Sequence, residues 1–99
     1  MTDKELEQAL DASPAERVTT EYMKSRIASV EYQLWPNSTF TQCRITLDNG
    51  YSVMGESACV NPANYRQDIG EKIAHDNAFK KLWPLFGFLL AEKNFRTKG

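Results

Sequence analysis

Histidine is nearly absent from this sequence: His75 is the only one. A single imidazole leaves one chain unable to assemble a metal site of several His ligands, and neither cysteine lies in CxxC spacing. Also missing are a GxSxG elbow, a phosphate-cradling P-loop and a GxGxxG turn. Pairing His75 with Cys43 as base and nucleophile fails because the strand pattern points Cys43 into the core. His75 reads as an exposed helix residue. The carboxylates are scattered. Asp68 and Glu71, three apart on a helix, read as a solvated face rather than an acid–base pair. No enzymatic activity and no cofactor are expected.

Cysteine is scarce too. Cys43 and Cys59 are too few for a disulfide framework and read as plain, mostly buried thiols. No leader-like segment precedes them, and the longest apolar stretch, Leu82 to Ala91, is too short to span a bilayer. A reducing, cytoplasmic setting fits. An excess of either charge sign is absent as well, the net charge being −1. No global basic field exists to hold nucleic acid or an anionic membrane, so neither is an expected partner.

What is present is one domain of ordinary globular composition. Residues 1–17 are polar and acidic, with Asp3, Glu5, Glu7, Asp11 and Glu16, and read as a mobile arm. Residues 18–99 form a single α+β domain. Thr19 or Thr20 can cap a first helix, and Val18 can staple onto Met23. Tyr22, Met23, Ile27 and Val30 recur at helical spacing. Then Val30, Tyr32 and Leu34 alternate with Glu31 and Gln33 as in a strand, until Pro36-Asn37-Ser38 breaks it.

Asn49-Gly50 between two β-rich runs is a strong hairpin cue, because both central residues of a type I′ turn need positive φ. That turn sets Asp48 opposite Tyr51. It places Thr41, Cys43, Ile45 and Leu47 on a helix-covered face with Ser52, Met54, Glu56 and Ala58. Gln42, Arg44, Thr46, Tyr51, Val53 and Gly55 fall on the other face. With the earlier strand this is a three-stranded antiparallel meander.

Asn61-Pro62 opens a second helix, expected to run to about Trp83, where Pro84 ends or kinks it. A last helix should follow from Pro84 to about Lys93. The expected architecture is an N-terminal helix, the meander, and two C-terminal helices packed on one sheet face. The domain is small, and Trp35, Tyr51 and Phe88 exceed what one small core hides, so a homodimer or higher oligomer is expected.

In the second helix Gly70, Ala74, Asn77, Ala78 and Lys81 share one side. Something must approach that side closely: another helix, a sheet or a ligand. Tyr65 and Arg66 stand at the helix start, where an aromatic ring can stack on a base and a guanidinium can grip a phosphate. The bland alternative makes Tyr65 a core ring beside Ile69 and Ile73, and Arg66 plain surface.

The run from Ile45 to Leu90 resembles a family of small tailed-phage proteins. The resemblance rests on Leu47, Asn49-Gly50-Tyr51, Val53, Gly55-Glu56-Ser57-Ala58-Cys59 and Asn64-Tyr65. It continues in Ile69-Gly70, Lys72-Ile73-Ala74, Asn77-Ala78 and Leu82-Trp83-Pro84-Leu85. Members often carry Glu where Phe86 stands and Tyr where Phe88 stands. The type-1 Thoeris anti-defence proteins look like relatives; they sequester cyclic nucleotide alarm signals between subunits of an oligomer. The resemblance implies a phage counter-defence protein in the host cytoplasm. Its ligand would be a cyclic ADP-ribose isomer or a cyclic di- or trinucleotide, bound without catalysis. The candidate contacts are Tyr65 for stacking, Asn77 for base or ribose edges, and Arg66, Lys81 and Arg96 for phosphates. Toward the C-terminus only Lys93, Arg96 and Lys98 stand in for the arginines of such a sponge. The alternative is a phage protein that blocks a host or defence protein by surface contact.

Overall fold

A computed structural model describes residues 17–98. The acidic arm expected over residues 1–17 lies outside them, except for Arg17. The first helix, α1 (Thr20–Ser25), begins where the cap residue dictates: the Thr19 hydroxyl accepts the Tyr22 N–H at 3.1 Å. It is shorter than the Tyr22–Val30 spacing suggests. The chain leaves the helix at Arg26, and strand β1 (Ile27–Leu34) follows at once. Ile27 and Val30 are stiff, β-branched residues that fit a pleated strand. Tertiary pairing with β2 (Thr41–Leu47) decides between the two periods. β3 (Ser52–Ser57) completes an antiparallel sheet in the order β1-β2-β3, the expected meander.

The hairpin between β2 and β3 is tight, as the Asn-Gly pair demands, but it is not type I′. Among these residues only Gly50 has positive φ, at 92°. The Leu47 N–H donates to the Tyr51 carbonyl at 2.8 Å, and the Gly50 N–H donates to the Leu47 carbonyl at 2.9 Å. The loop therefore holds three residues, Asp48-Asn49-Gly50, with glycine in the left-handed position that closes such loops. Asn49 serves as a local acceptor, its Oδ1 taking the Tyr51 N–H at 3.0 Å.

One extra loop residue shifts the register by one, and a shift of one exchanges the faces of β3. Ile45 pairs with Val53, Cys43 with Gly55 and Thr41 with Ser57. Val53 and Gly55 are buried beneath the helices, while Ser52 and Glu56 are exposed. The two-residue loop assigned these positions the other way round. Cys43 stands fully buried on the helix-covered face, as expected.

The helix expected from Pro62 to Trp83 is broken at both ends. Asn61 does cap, its Oδ1 accepting the Ala63 N–H at 3.0 Å, but the turn it caps is a single 3-10 turn, Pro62–Asn64. Tyr65 and Arg66 are extended, and α2 (Gln67–Lys80) starts after them. The break before the last helix comes at Lys81 rather than at Pro84, and α3 (Leu82–Lys98) follows. Pro84 thus lies in the first turn of α3, where no backbone N–H is needed, so proline opens this helix instead of ending it.

The core forms where α2 crosses β2 and β3. Ala74 and Ala78 are fully buried against the Gly55 backbone, so the small-residue side of α2 is filled by the sheet. Beyond the end of α2, Leu82 and Phe86 join Met23 and Leu47 in the same core, with Val18 and Leu85 packed against it. Phe86 meets Tyr22 edge-on, with ring centroids 5.9 Å apart, and the Arg26 guanidinium lies 5.9 Å from its ring centre. Arg26 also binds both Asp48 carboxylate oxygens, at 2.7 and 2.9 Å, tying the exit of α1 to the hairpin loop.

That pairing gives a pH prediction. The Arg26 hydrogen bond holds the Asp48 carboxyl below its usual range. A carboxyl whose pKa falls on folding adds stability above its unfolded value of about 3.9, and that stability is lost as pH drops through the folded value. Asp48→Asn should slightly lower the melting temperature at neutral pH. The gap to wild type should close as the solution is acidified through the carboxylate range. A gap that persists unchanged at low pH would assign the effect to the turn backbone instead.

Candidate functional site

A hollow of about 180 Å³ opens where the end of β3, the 3-10 turn and the start of α2 meet. Its frame is polar and closed by short contacts. The Thr39 hydroxyl donates to the Cys59 carbonyl at 2.6 Å and accepts the Cys59 N–H at 3.0 Å, joining the entry of β2 to the segment after β3. The Ser57 hydroxyl donates to the Gly70 carbonyl at 2.7 Å, pinning α2 to β3. Tyr65 sits half-buried between these, its hydroxyl 3.2 Å from the Thr41 hydroxyl. A methyl at Gly70 would lie only 3.2 Å from the Tyr65 ring, so glycine here makes room for the ring. Ile69 and Ile73 form an apolar wall and are 47% and 46% exposed.

Arg66 stands at the rim. It is the N-cap residue of α2 and makes no side-chain cap, so no side chain of its own blocks the free N–H groups of that first turn. Its guanidinium reaches Asp68 at 2.9 Å, with both side chains 67% exposed, a surface pair that an incoming anion can outcompete. An aromatic ring, an apolar wall, a helix N-terminus and an exposed cation meet at one opening. This arrangement can hold a flat ring and a negative charge.

The other three candidate residues lie elsewhere. Asn77 is engaged with the sheet, its Nδ2 donating to the Glu56 carbonyl at 2.8 Å. Lys81 is exposed at the junction of α2 and α3. Arg96 is exposed on the last turns of α3 and pairs with Glu92 at 3.4 Å, roughly 22 Å along the helix from Lys81 at 1.5 Å per residue. Within one subunit, then, only Tyr65 and Arg66 converge. Thr39, Ser57 and Cys59 also line the hollow, and none of the three stands out as a contact in the sequence. The GESAC run that contains Ser57 and Cys59 is their only trace in the sequence.

His75 is half-buried rather than exposed, stacked on Phe79 with centroids 6.1 Å apart, and its Nδ1 lies 3.5 Å from Asp76. Burial holds the Cys43 thiol above its usual range, and the Cys59 thiol donates to the Asn61 carbonyl at 3.1 Å. Among the described residues no group of three or more His, Cys, Asp or Glu side chains is placed to hold a metal ion. No helix among them is long and apolar enough to cross a membrane.

No curated protein and no solved structure matches this chain. A family model does match, over residues 18–94. The matched span starts at the Val18 that packs beside α1 and runs through the meander, the hollow and most of α3. The chain therefore belongs to the N4 Gp49/phage Sf6 gene 66 family of phage proteins.

Proposed function

We propose that this phage protein works by binding, as a counter-defence sponge that sequesters a cyclic nucleotide immune signal in the host cytoplasm without chemical conversion. The observation that carries the reading is the convergence of Tyr65 and Arg66 on one hollow at the start of α2. A nucleotide needs a flat apolar partner for its base and charge-assisted donors for its phosphate. At about 180 Å³ the hollow is smaller than the roughly 300–1,000 Å³ of usual ligand sites. It takes one base with its phosphate. The rest of the ligand extends over Ile69 and Ile73, where a neighbouring subunit can close on it.

The test is titration calorimetry of the wild-type protein and two variants against cyclic di- and trinucleotides and cyclic ADP-ribose isomers. Arg66→Ala should weaken binding by about tenfold or more, equal to about 1.4 kcal/mol, with no change in melting temperature. Tyr65→Ala should weaken binding and also lower stability, because its ring fills the space above Gly70 and its hydroxyl meets Thr41. No binding by wild type, or an Arg66→Ala affinity equal to wild type, removes the proposal.

One observation favours a second reading, inhibition of a host protein by surface contact. Tyr51, Phe88 and Leu89 are 57%, 65% and 49% exposed around an apolar hollow of about 270 Å³. The two readings separate at purification. A sponge from a host making the signal carries nucleotide absorbance, whereas a contact inhibitor carries protein.

A further inference from the structure

The sheet has two edges, β1 and β3, and the molecule treats them differently. At β3 the Asn77 side chain of α2 binds a main-chain carbonyl, and Ser57 binds the α2 backbone. Among the described residues β1 has no comparable cover. It is eight residues long, without Lys, Pro or Gly to discourage another strand, and its one charge, Glu31, is held by Arg44 of the neighbouring strand at 2.6 Å. Its pairing with β2 is irregular only between Ile27 and Ser29. Native sheets usually blunt such an edge with charge, proline or a bulge, because its free N–H and C=O groups recruit strands.

Among the described residues the face of β1 is only partly covered as well. Val30, Tyr32 and Leu34 pair with Ile45, Cys43 and Thr41 and share their face of the sheet. The β2 residues are buried, yet Val30, Tyr32 and Leu34 are 37%, 43% and 42% exposed, because among the described residues α2 packs mainly over β2 and β3 and covers β1 only in part. Edge and face call for the same occupant: a strand with alternate apolar side chains.

We infer that the occupant is β1 of a second copy, paired antiparallel about a two-fold axis at Tyr32. The strand's own sequence favours this register: an axis at Gln33 would set Val30 against Pro36, beyond the end of β1 and without an N–H, and would shorten the ladder. Opposed residues in an antiparallel pair share a face. An axis at Tyr32 sets Val30 against Leu34 of the second copy and Glu31 against its Gln33, so apolar meets apolar and no like charges oppose. An axis at Glu31 would oppose two carboxylates. An axis between residues would bring Gln33 onto the apolar face. An axis at Val30 would run the ladder into the irregularity near Ala28 and set Leu34 against Arg26. The contact joins two sheets into one of six strands. It lies on the edge away from the Tyr65 hollow, so it stands independently of any ligand.

Light scattering at micromolar concentration should return twice the 11.3 kDa chain mass for wild type. Tyr32→Lys, which sets two ammonium groups across the axis, should return the monomer mass with an unchanged circular dichroism spectrum. Tyr32→Cys in a Cys43→Ser background, oxidised, should run as a disulfide-linked dimer, because facing strand residues lie within disulfide reach and the Cys43 thiol, which faces position 32 within the same chain, is removed. Phe88→Cys on α3 in the same background should not, and the oxidised Cys43→Ser protein sets the background from Cys59. A monomeric wild type overturns the inference, as does a dimer that survives Tyr32→Lys or cross-links through Phe88→Cys and not Tyr32→Cys. If Tyr32→Lys fails to fold, the cross-linking pair decides alone.

Discussion

Gly55→Ala should cripple folding, while Gly87→Ala, the same added methyl, should leave the protein intact or slightly more stable. A methyl at Gly55 would collide with the Ala78 N and the Ala74 carbonyl and would lie 2.7 Å from the Ala78 Cα. All three are backbone atoms, so no side chain can rotate away. α2 would have to lift off the sheet, and the burial of Ala74, Ala78 and Val53 would go with it. Overpacking a core typically costs about 1–3 kcal/mol, and contact with backbone belongs at or beyond the upper end. A chain this size has a net stability of only about 5–15 kcal/mol. At Gly87, exposed on α3, a methyl meets nothing within 4 Å. Replacing a helix glycine there can gain up to about 1 kcal/mol. Thermal melts of the two variants test the helix–sheet contact directly. A Gly55→Ala protein that melts with wild type would show that α2 does not sit on β3.

Phe86→Ala carries the second large effect. The ring is 3% exposed, meets Tyr22 edge-on and lies beneath Arg26, so it links α3 to α1 and the hairpin loop. Truncating a buried phenylalanine costs about 3–5 kcal/mol, part lost transfer energy and part cavity. Urea unfolding should show the loss as a lower midpoint at similar slope. Phe88→Ala, two residues on and 65% exposed, should move the midpoint little in the monomer. Equal effects at the two positions would mean that α3 is rotated from the placement described.

The candidate site was legible in part. Tyr65 and Arg66 stand out because an aromatic and a cation fall at the start of the helix that Asn61-Pro62 is expected to open; in the structure they are extended and precede α2, which starts at Gln67. Asn77 and Lys81 stood out because they share a side with Gly70, Ala74 and Ala78. That side packs on the sheet, and a small-residue stripe reads the same in sequence whether a ligand or a strand approaches it. The signal that separates the two cases is Gly55. A glycine inside a strand marks a close backbone approach, and its partner surface is the stripe on α2.

By itself the sequence determined the α+β class, the meander, the Asn61 cap, a cap at Thr19 or Thr20 and the tight turn at Gly50, because each rests on chemistry within a few residues. It also placed Cys43 on the buried face, since alternation along β2 is unambiguous. The register of β3 was decided by tertiary structure. Two- and three-residue loops both suit Asp48-Asn49-Gly50, and they differ only in which face of β3 meets the helices. Burying Val53 and Gly55 under α2, with Glu56 left in water, is the lower-energy choice because an unpaired carboxylate beneath a helix is costly. The same physics set the helix break at Lys81. Pro84 is compatible with ending one helix or opening another, and the packing of Leu82 and Phe86 into the core made it the latter.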